Sequence, residues 1–431
     1  MQEEFDEIKD QASEPSCSKK KIIYLVAAFV AVAVISVMLT FSLTVNYFFS
    51  EENGEYAKFE VLKKYIDKYS YYEPDHDAMM DAALKAYVSG TGDRYAEYYN
   101  AEDFEALTED NEGRFVGIGV TISEAETVYR NKAVTLIEVI SVYESSPANE
   151  AGILEGDMIY SVYTEDGEIF TDDVGMDVIT SKIKGEEGTE VKISVLRGSE
   201  NEYEKLDFTM KRRKVDVNSV AYEVPQNQPS VGIVTITRFD LRTPLLFKDA
   251  LNNLKQQGIT QVVLDMRGNP GGDLNSVIAC ASYFLVEGDV IISTEDNDGN
   301  KLFEEARSRT YGATYSSCNV SKDEIGMFRD FEVAVLVNRA TASAAELLTA
   351  VFRDYELAVT VGEKTYGKGT MQTIYPLDRA GLDGGVKMTT NVYFPPCGES
   401  YDGMGIIPDI TVDNSETEDL QLAAAIEKLV K

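Results

Sequence analysis

A chain of 431 residues is too long for one ordinary hydrophobic core and calls for two or three folded units. Its 44% hydrophobic and 26% charged residues are those of a globular protein and exclude wholesale disorder. The formal net charge of −34 excludes a nucleic-acid partner, because neutralising phosphates takes clustered Lys and Arg, and otherwise reads as a solubility feature. Four widely spaced cysteines, Cys17, Cys280, Cys318 and Cys397, show no CxxC and no neighbouring histidine. No zinc site is expected from them, and one structural pair stays open. His76 is the single histidine, so a Ser-His-Asp triad would have one candidate base, and a multi-histidine metal site is impossible.

Ile22 to Phe49 carries no charged side chain, longer than the roughly 20 residues that span a bilayer as helix. The length favours an uncleaved anchor over a signal peptide. Lys19, Lys20 and Lys21 precede the run, and Glu51, Glu52 and Glu55 follow it. That bias predicts a cytoplasmic tail at residues 1–21, a single-pass anchor at 22–49, and the rest outside the cytoplasm. Tyr56 to Val88 has apolar residues at helical spacing (Phe59, Leu62, Tyr65, Ile66, Tyr69), which predicts a helical stalk or dimerisation arm within residues 50–102. Residues 103–212 read as a small β-domain. Its expected strands are Phe115–Ile122, Ala133–Ile140, Asp157–Val162 and Glu190–Leu196, with one amphipathic helix marked by Val174, Val178, Ile179 and Ile183.

From residue 213 to 431 strands and helices alternate: strand Val231–Ile236, helix Pro244–Gln257, strand Gln261–Met266, helix Leu274–Leu285, strand Glu332–Val337, helix Ser343–Tyr355, strand Leu357–Val361. Such alternation predicts an α/β core. Three strand ends in it carry chemistry. Asp265-Met266-Arg267-Gly268-Asn269-Pro270-Gly271-Gly272 puts glycine amides between a strand and a helix start, suited to an anion or an ordinary turn. Ser343 in Thr341-Ala342-Ser343-Ala344-Ala345-Glu346 opens a helix, as a plain N-cap or as a nucleophile at the end where open α/β sheets keep their sites. Gly362 to Thr370 nearly matches a phosphate-binding P-loop but has Gly369 where magnesium needs Ser or Thr, and a strand follows instead of a helix. A lysine packed there in an apolar pocket has a lowered pKa, so a neutral Lys368 can serve a serine as base.

Together these segments, from about Glu55 to Asp409, resemble the carboxyl-terminal processing peptidases, also called tail-specific proteases. The resemblance implies Ser343 as nucleophile, Lys368 as general base and Gln372 orienting the lysine. It puts an oxyanion hole at the amides of Gly271 or Gly272 and Ala344, and gives Glu346 a supporting acidic position. Phe115-Val116-Gly117-Ile118-Gly119-Val120, with Ala148 to Val162 behind it, resembles bacterial PDZ domains, where glycine amides take a peptide's terminal carboxylate and the peptide adds as a strand. The closing Gly403-Met404-Gly405-Ile406-Ile407-Pro408-Asp409 also resembles the family. Asp273 stands where an apolar residue is usual, and Cys397 where a hydroxyl residue is common.

The implied architecture is an α/β protease core of crotonase/ClpP-like type with an inserted β-rich PDZ domain, a helical N-terminal arm and one transmembrane helix. The implied activity is serine endopeptidase action on proteins read by their free C-terminus, gated by the PDZ domain and needing no cofactor or metal. A homodimer and a regulatory protein are open as partners. The rival readings are an inactive PDZ scaffold at the membrane surface and a crotonase-like acyl-transforming enzyme.

Overall fold

The computed structural model describes residues 19–48, 51–165, 167–198, 202–378, 381–413 and 418–430. Cys17 and most of the expected cytoplasmic tail lie outside them. The chain divides into two compact units, residues 1–83 and 84–431.

In the first unit Lys19–Phe48 forms one helix. Its described side chains, Tyr24 and residues 26–42, are all exposed. Among the described residues no helix is long and apolar enough to cross a membrane, so the expected span over Ile22–Phe49 is not met there. The arm also differs from one continuous helix. Helix Glu51–Tyr69 stops, and helix His76–Ser89 starts afresh with Asp75 accepting from the Ala78 amide at 3.0 Å. Pro74 between them lacks the N–H and the conformational freedom to continue a helix. His76 pairs with Asp67 at 2.9 Å within this arm.

The second unit is built on a sheet of six strands in the order 220–223, 231–236, 261–265, 332–337, 358–362, 410–411. The first pairs antiparallel and all the others parallel. Strand Glu332–Val337 shows why the apolar runs were readable. Val333, Val335 and Val337 face helices Thr243–Gln256, Leu274–Ser282 and Ala344–Asp354, while Ala334 and Leu336 face helix Leu420–Leu429. A parallel strand covered on both faces has no polar side, so its sequence does not alternate.

A second, antiparallel sheet flanks this core. Strand Gly385–Phe394 pairs with Glu97–Tyr99, Thr370–Pro376 and Val290–Asp296, and the last of these with Lys301–Glu305. Residues 97–99 therefore form an edge strand of this sheet and not a part of a helical arm. The β-rich unit is entered and left through the paired strands Arg114–Gly117 and Arg213–Asp216. It holds strands 120–129, 132–142, 158–164, 190–197 and 204–211 around a core of Ile118, Ile137, Val139, Ile159, Ile179 and Ile193. The expected strand Phe115–Ile122 is broken at Gly119, whose φ of 82° no extended strand accepts. Helix Ala101–Glu112, capped by Asn100, precedes this unit instead of forming part of its sheet.

Candidate active site

Parallel strands 261–265, 332–337 and 358–362 end side by side, and the three chemistry-bearing segments leave from those carboxyl ends. Ser343 is the N-cap of helix Ala344–Asp354 and has φ 54°, a left-handed conformation that a β-substituted residue keeps only under tertiary constraint. The constraint is Glu346. Fully buried, its carboxylate accepts from the Ser343 amide at 2.9 Å, the Lys368 amide at 2.8 Å, the Gly367 amide at 2.7 Å and the Thr365 hydroxyl at 2.5 Å. Ser343 and Lys368 donate to the same oxygen, so the main chains that carry them are fixed against one another. The anion beside a helix start also complements the helix dipole.

Among the described residues the Nζ of Lys368 has no hydrogen-bond or ion-pair partner. It lies 4.5 Å from the centre of the Tyr95 ring. Burial holds the Lys368 amine below the usual lysine pKa, and the positive charges of Lys387 and Arg94 push it further down. Gln372 does not bond the lysine here. Its amide donates to the hydroxyls of Thr370 and Thr389, each at 3.1 Å. Thr389 is held in turn by Asp93, whose carboxylate accepts from the Thr389 amide at 2.7 Å and its hydroxyl at 3.1 Å.

The glycine loop settles which amides are open. Gly271 donates its N–H to the Asn269 side chain at 2.8 Å, and Asn269 donates to the Ile236 carbonyl at 2.8 Å, so the Gly271 amide is already used. The amides of Gly272 and Ala344 have no acceptor among the described residues. A Cβ at Gly271 would stand 2.8 Å from the Ala344 nitrogen and the Ser343 Cβ, so only glycine leaves room over that amide. Open amides beside a serine at a helix N-terminus suit a developing oxyanion. Asp273, the departure from the family's apolar residue, caps helix Leu274–Ser282 by accepting from the Ser276 amide at 2.9 Å. Cys397 is an exposed free thiol, and Cys280 and Cys318 are buried free thiols.

Sequence reasoning missed Asn269, Asp93 and Tyr95, together with Tyr393 and Tyr401. Asn269 carried a signal, an Asx residue ahead of Pro270 and two glycines, where a side chain often bonds an amide two residues on. Asp93, Tyr95 and Tyr393 act across some 25 to 300 residues of chain, and Tyr401 acts through Tyr393, so none leaves a local pattern.

A second site lies in the β-rich unit. A cavity of about 220 Å³ is lined by Phe115, Gly117, Ile118, Gly119 and Val120 on one side and by Thr180 and Ile183 of helix Met176–Ile183 on the other. The amides of Ile118 and Gly119 have no acceptor among the described residues, whereas Val116 donates to Glu109 at 3.2 Å and does not line the cavity.

Residues 230–412 match the profile of peptidase family S41. A "Probable CtpA-like serine protease" of Staphylococcus aureus strain RF122 is 30% identical over 400 residues, which cover 92% of this chain and 73% of the relative. The chain belongs to peptidase family S41. The strain COL relative of the same name is 31% identical over 365 residues, and there the chain spans 66% of the relative's length. An S41 protease structure from Bacteroides fragilis, 18% identical, superposes with a TM-score of 0.51 over 85% of this chain and 94% of that one, which supports the S41 fold alone.

Family membership makes the titration of Lys368 testable. In the reading proposed below Lys368 is the base and must be neutral to take a proton, so activity is expected to rise with pH through the Lys368 pKa. Arg94→Gln removes a positive charge that lowers this pKa, so the acid limb should move to higher pH. Arg94 is exposed, so the shift should shrink as salt is raised. A pH profile of kcat/KM at two ionic strengths checks both.

Proposed function

We propose that this S41 member is a serine endopeptidase of the Ser/Lys type that acts on proteins recognised by their C-terminal tail. Neutral Lys368 takes the proton of Ser343, and Ser343 Oγ attacks the peptide carbonyl. The amides of Gly272 and Ala344 hold the oxyanion, and the protonated lysine returns its proton to the leaving amine. Water, activated by the same lysine, then releases the acyl group. Gln372 orients the lysine once substrate excludes water, through the carbonyl oxygen that its bonds to Thr370 and Thr389 leave open. The observation that carries the reading is Glu346, which ties the Ser343 and Lys368 main chains to one oxygen while the lysine amine stays unpaired and its pKa is lowered.

In this reading residues 103–212 are a PDZ domain inserted ahead of a crotonase/ClpP-like core at 213–431. Its cavity takes a peptide end, with the Ile118 and Gly119 amides on the carboxylate and the peptide laid beside strand Val120–Tyr129. The domain gates the core, and residues 22–49 anchor the chain with the core outside the cytoplasm. The anchor is supported by the uncharged run Ile22–Phe49 and the three lysines before it.

The test uses two unfolded reporters, one with a free apolar C-terminus and one amidated there. The parent is expected to cleave the free form about tenfold or more faster, since a charge-assisted bond to a carboxylate is worth about 1.5–3 kcal/mol. In Gly119→Val that preference should vanish, because a Cβ there would fall 2.3 Å from the Ser146 Cβ at a φ of 82°. Equal cleavage of both reporters by the parent would remove tail recognition from the account.

A further inference from the structure

One buried group beside the dyad takes no part in the mechanism above. Tyr393, on strand Gly385–Phe394, donates its hydroxyl to the Lys368 carbonyl at 2.6 Å. It accepts from the Tyr401 hydroxyl at 2.9 Å, and both rings are 5% exposed and meet edge to face at 5.8 Å. Ser343 is among the groups that hold down the pKa of this phenol against the burial that raises it. The Tyr393 amide donates to the Gly369 carbonyl at 3.0 Å, so main chain and phenol of one residue clasp both sides of the Lys368–Gly369 link.

A phenol has one proton and a small acceptor capacity. The Tyr393 proton is spent on Lys368, and the Tyr401 proton points into Tyr393. The one phenol proton next to the dyad is therefore directed at the Lys368 carbonyl. Burial raises the pKa of both phenols, so neither ionises at neutral pH and the proton order is fixed.

We propose that Tyr393 is a positioning residue for the reaction: its hydroxyl and amide fix the main chain that carries Lys368 to Ser343, and Tyr401 fixes the direction of that hydroxyl. The proposal rests on the Ser/Lys peptidase reading. It adds a third group, carried on the flanking antiparallel sheet, to a pair carried by the parallel core. Tyr393→Phe keeps the ring packing and removes only the oxygen.

The experiment takes the full-length chain and its Tyr393→Phe, Tyr401→Phe, Ser343→Ala and Lys368→Ala variants. It measures kcat and KM on an unstructured peptide, the rate of Ser343 modification by a small fluorophosphonate, and melting temperature. Tyr393→Phe is expected to lower kcat and the labelling rate together by about 10- to 100-fold, with KM within about twofold, the size of a small misplacement of reacting groups. Tyr401→Phe should lower both a few-fold. Undiminished kcat and labelling in a folded Tyr393→Phe overturn the proposal while leaving the peptidase reading intact. Should that variant not fold, Tyr401→Phe decides, and an unchanged labelling rate there overturns it. Absence of Ser343-dependent labelling in the parent fails the peptidase reading, and this proposal with it.

Discussion

Alanine at Ser343 or at Lys368 is expected to lower cleavage of an unfolded reporter by at least about 10⁴-fold, with the fold intact. Removing one member of a group that acts as a unit costs nearly as much as removing them all. The two variants should differ in stability. Ser343→Ala loses little packing, since the Glu346 carboxylate is bonded to the Ser343 main chain and only the capping contact of the side chain to the Glu346 amide is removed. Lys368 is a partly buried amine with no ion-pair partner among the described residues, so the unfolded chain binds its proton more readily than the folded one. Its depressed pKa therefore costs stability at neutral pH, and the penalty fades as pH rises through the folded pKa toward the unfolded value. Lys368→Met should thus be inactive yet at least as heat-stable as the parent near pH 7. Parallel melting and turnover measurements check both halves.

The second large effect is expected at Glu346, through structure as much as rate. Its carboxylate satisfies three amides and one hydroxyl in a fully buried setting. Glu346→Ala would leave all four donors unpaired, and one buried unsatisfied group alone costs about 1–3 kcal/mol. A loss of about 3 kcal/mol or more in unfolding free energy is expected, with kcat lower by about 10²-fold or more, because the left-handed Ser343 turn and the Lys368 loop lose their common tether. Glu346→Gln should be intermediate, since an amide offers one acceptor oxygen where the site has donors on two. Thr365→Val, which removes one of the four bonds and also leaves the Ile406 amide without the hydroxyl it donates to at 2.7 Å, should cost about 2 kcal/mol or more. Chemical denaturation of the three variants beside their turnover separates the tether from the chemistry. Equal activity and stability in Glu346→Ala would show that Ser343 and Lys368 are held by something else.

The parallel core was legible because burial on both faces writes each strand as an unbroken apolar run. Val231–Ile236 and Glu332–Val337 match their expected bounds for that reason. The antiparallel sheet was not. Strands Lys301–Glu305 and Gly385–Phe394 are largely exposed or half-buried, and their polar residues hide the period of two. The break at Pro74 was readable, and the periodic residues that predicted the arm, Phe59 to Tyr69, all lie before it. Ser343 and Lys368 emerged from the family resemblance, since each motif alone had an ordinary turn or cap as its equal. The choice of Gly272 over Gly271 depends on where one amide points, which Asn269 decides and no residue count reveals. The pairing of Asp93 with Thr389 joins segments nearly 300 residues apart, and Tyr95 reaches Lys368 over a similar span.

The most direct measurement is mass spectrometry of the acid-quenched chain during turnover of a slowly deacylated ester. The account predicts an added acyl mass on the peptide that contains Ser343, present in the parent and lost in Lys368→Ala. An acyl group on any other residue, or undiminished turnover in Ser343→Ala, would contradict it.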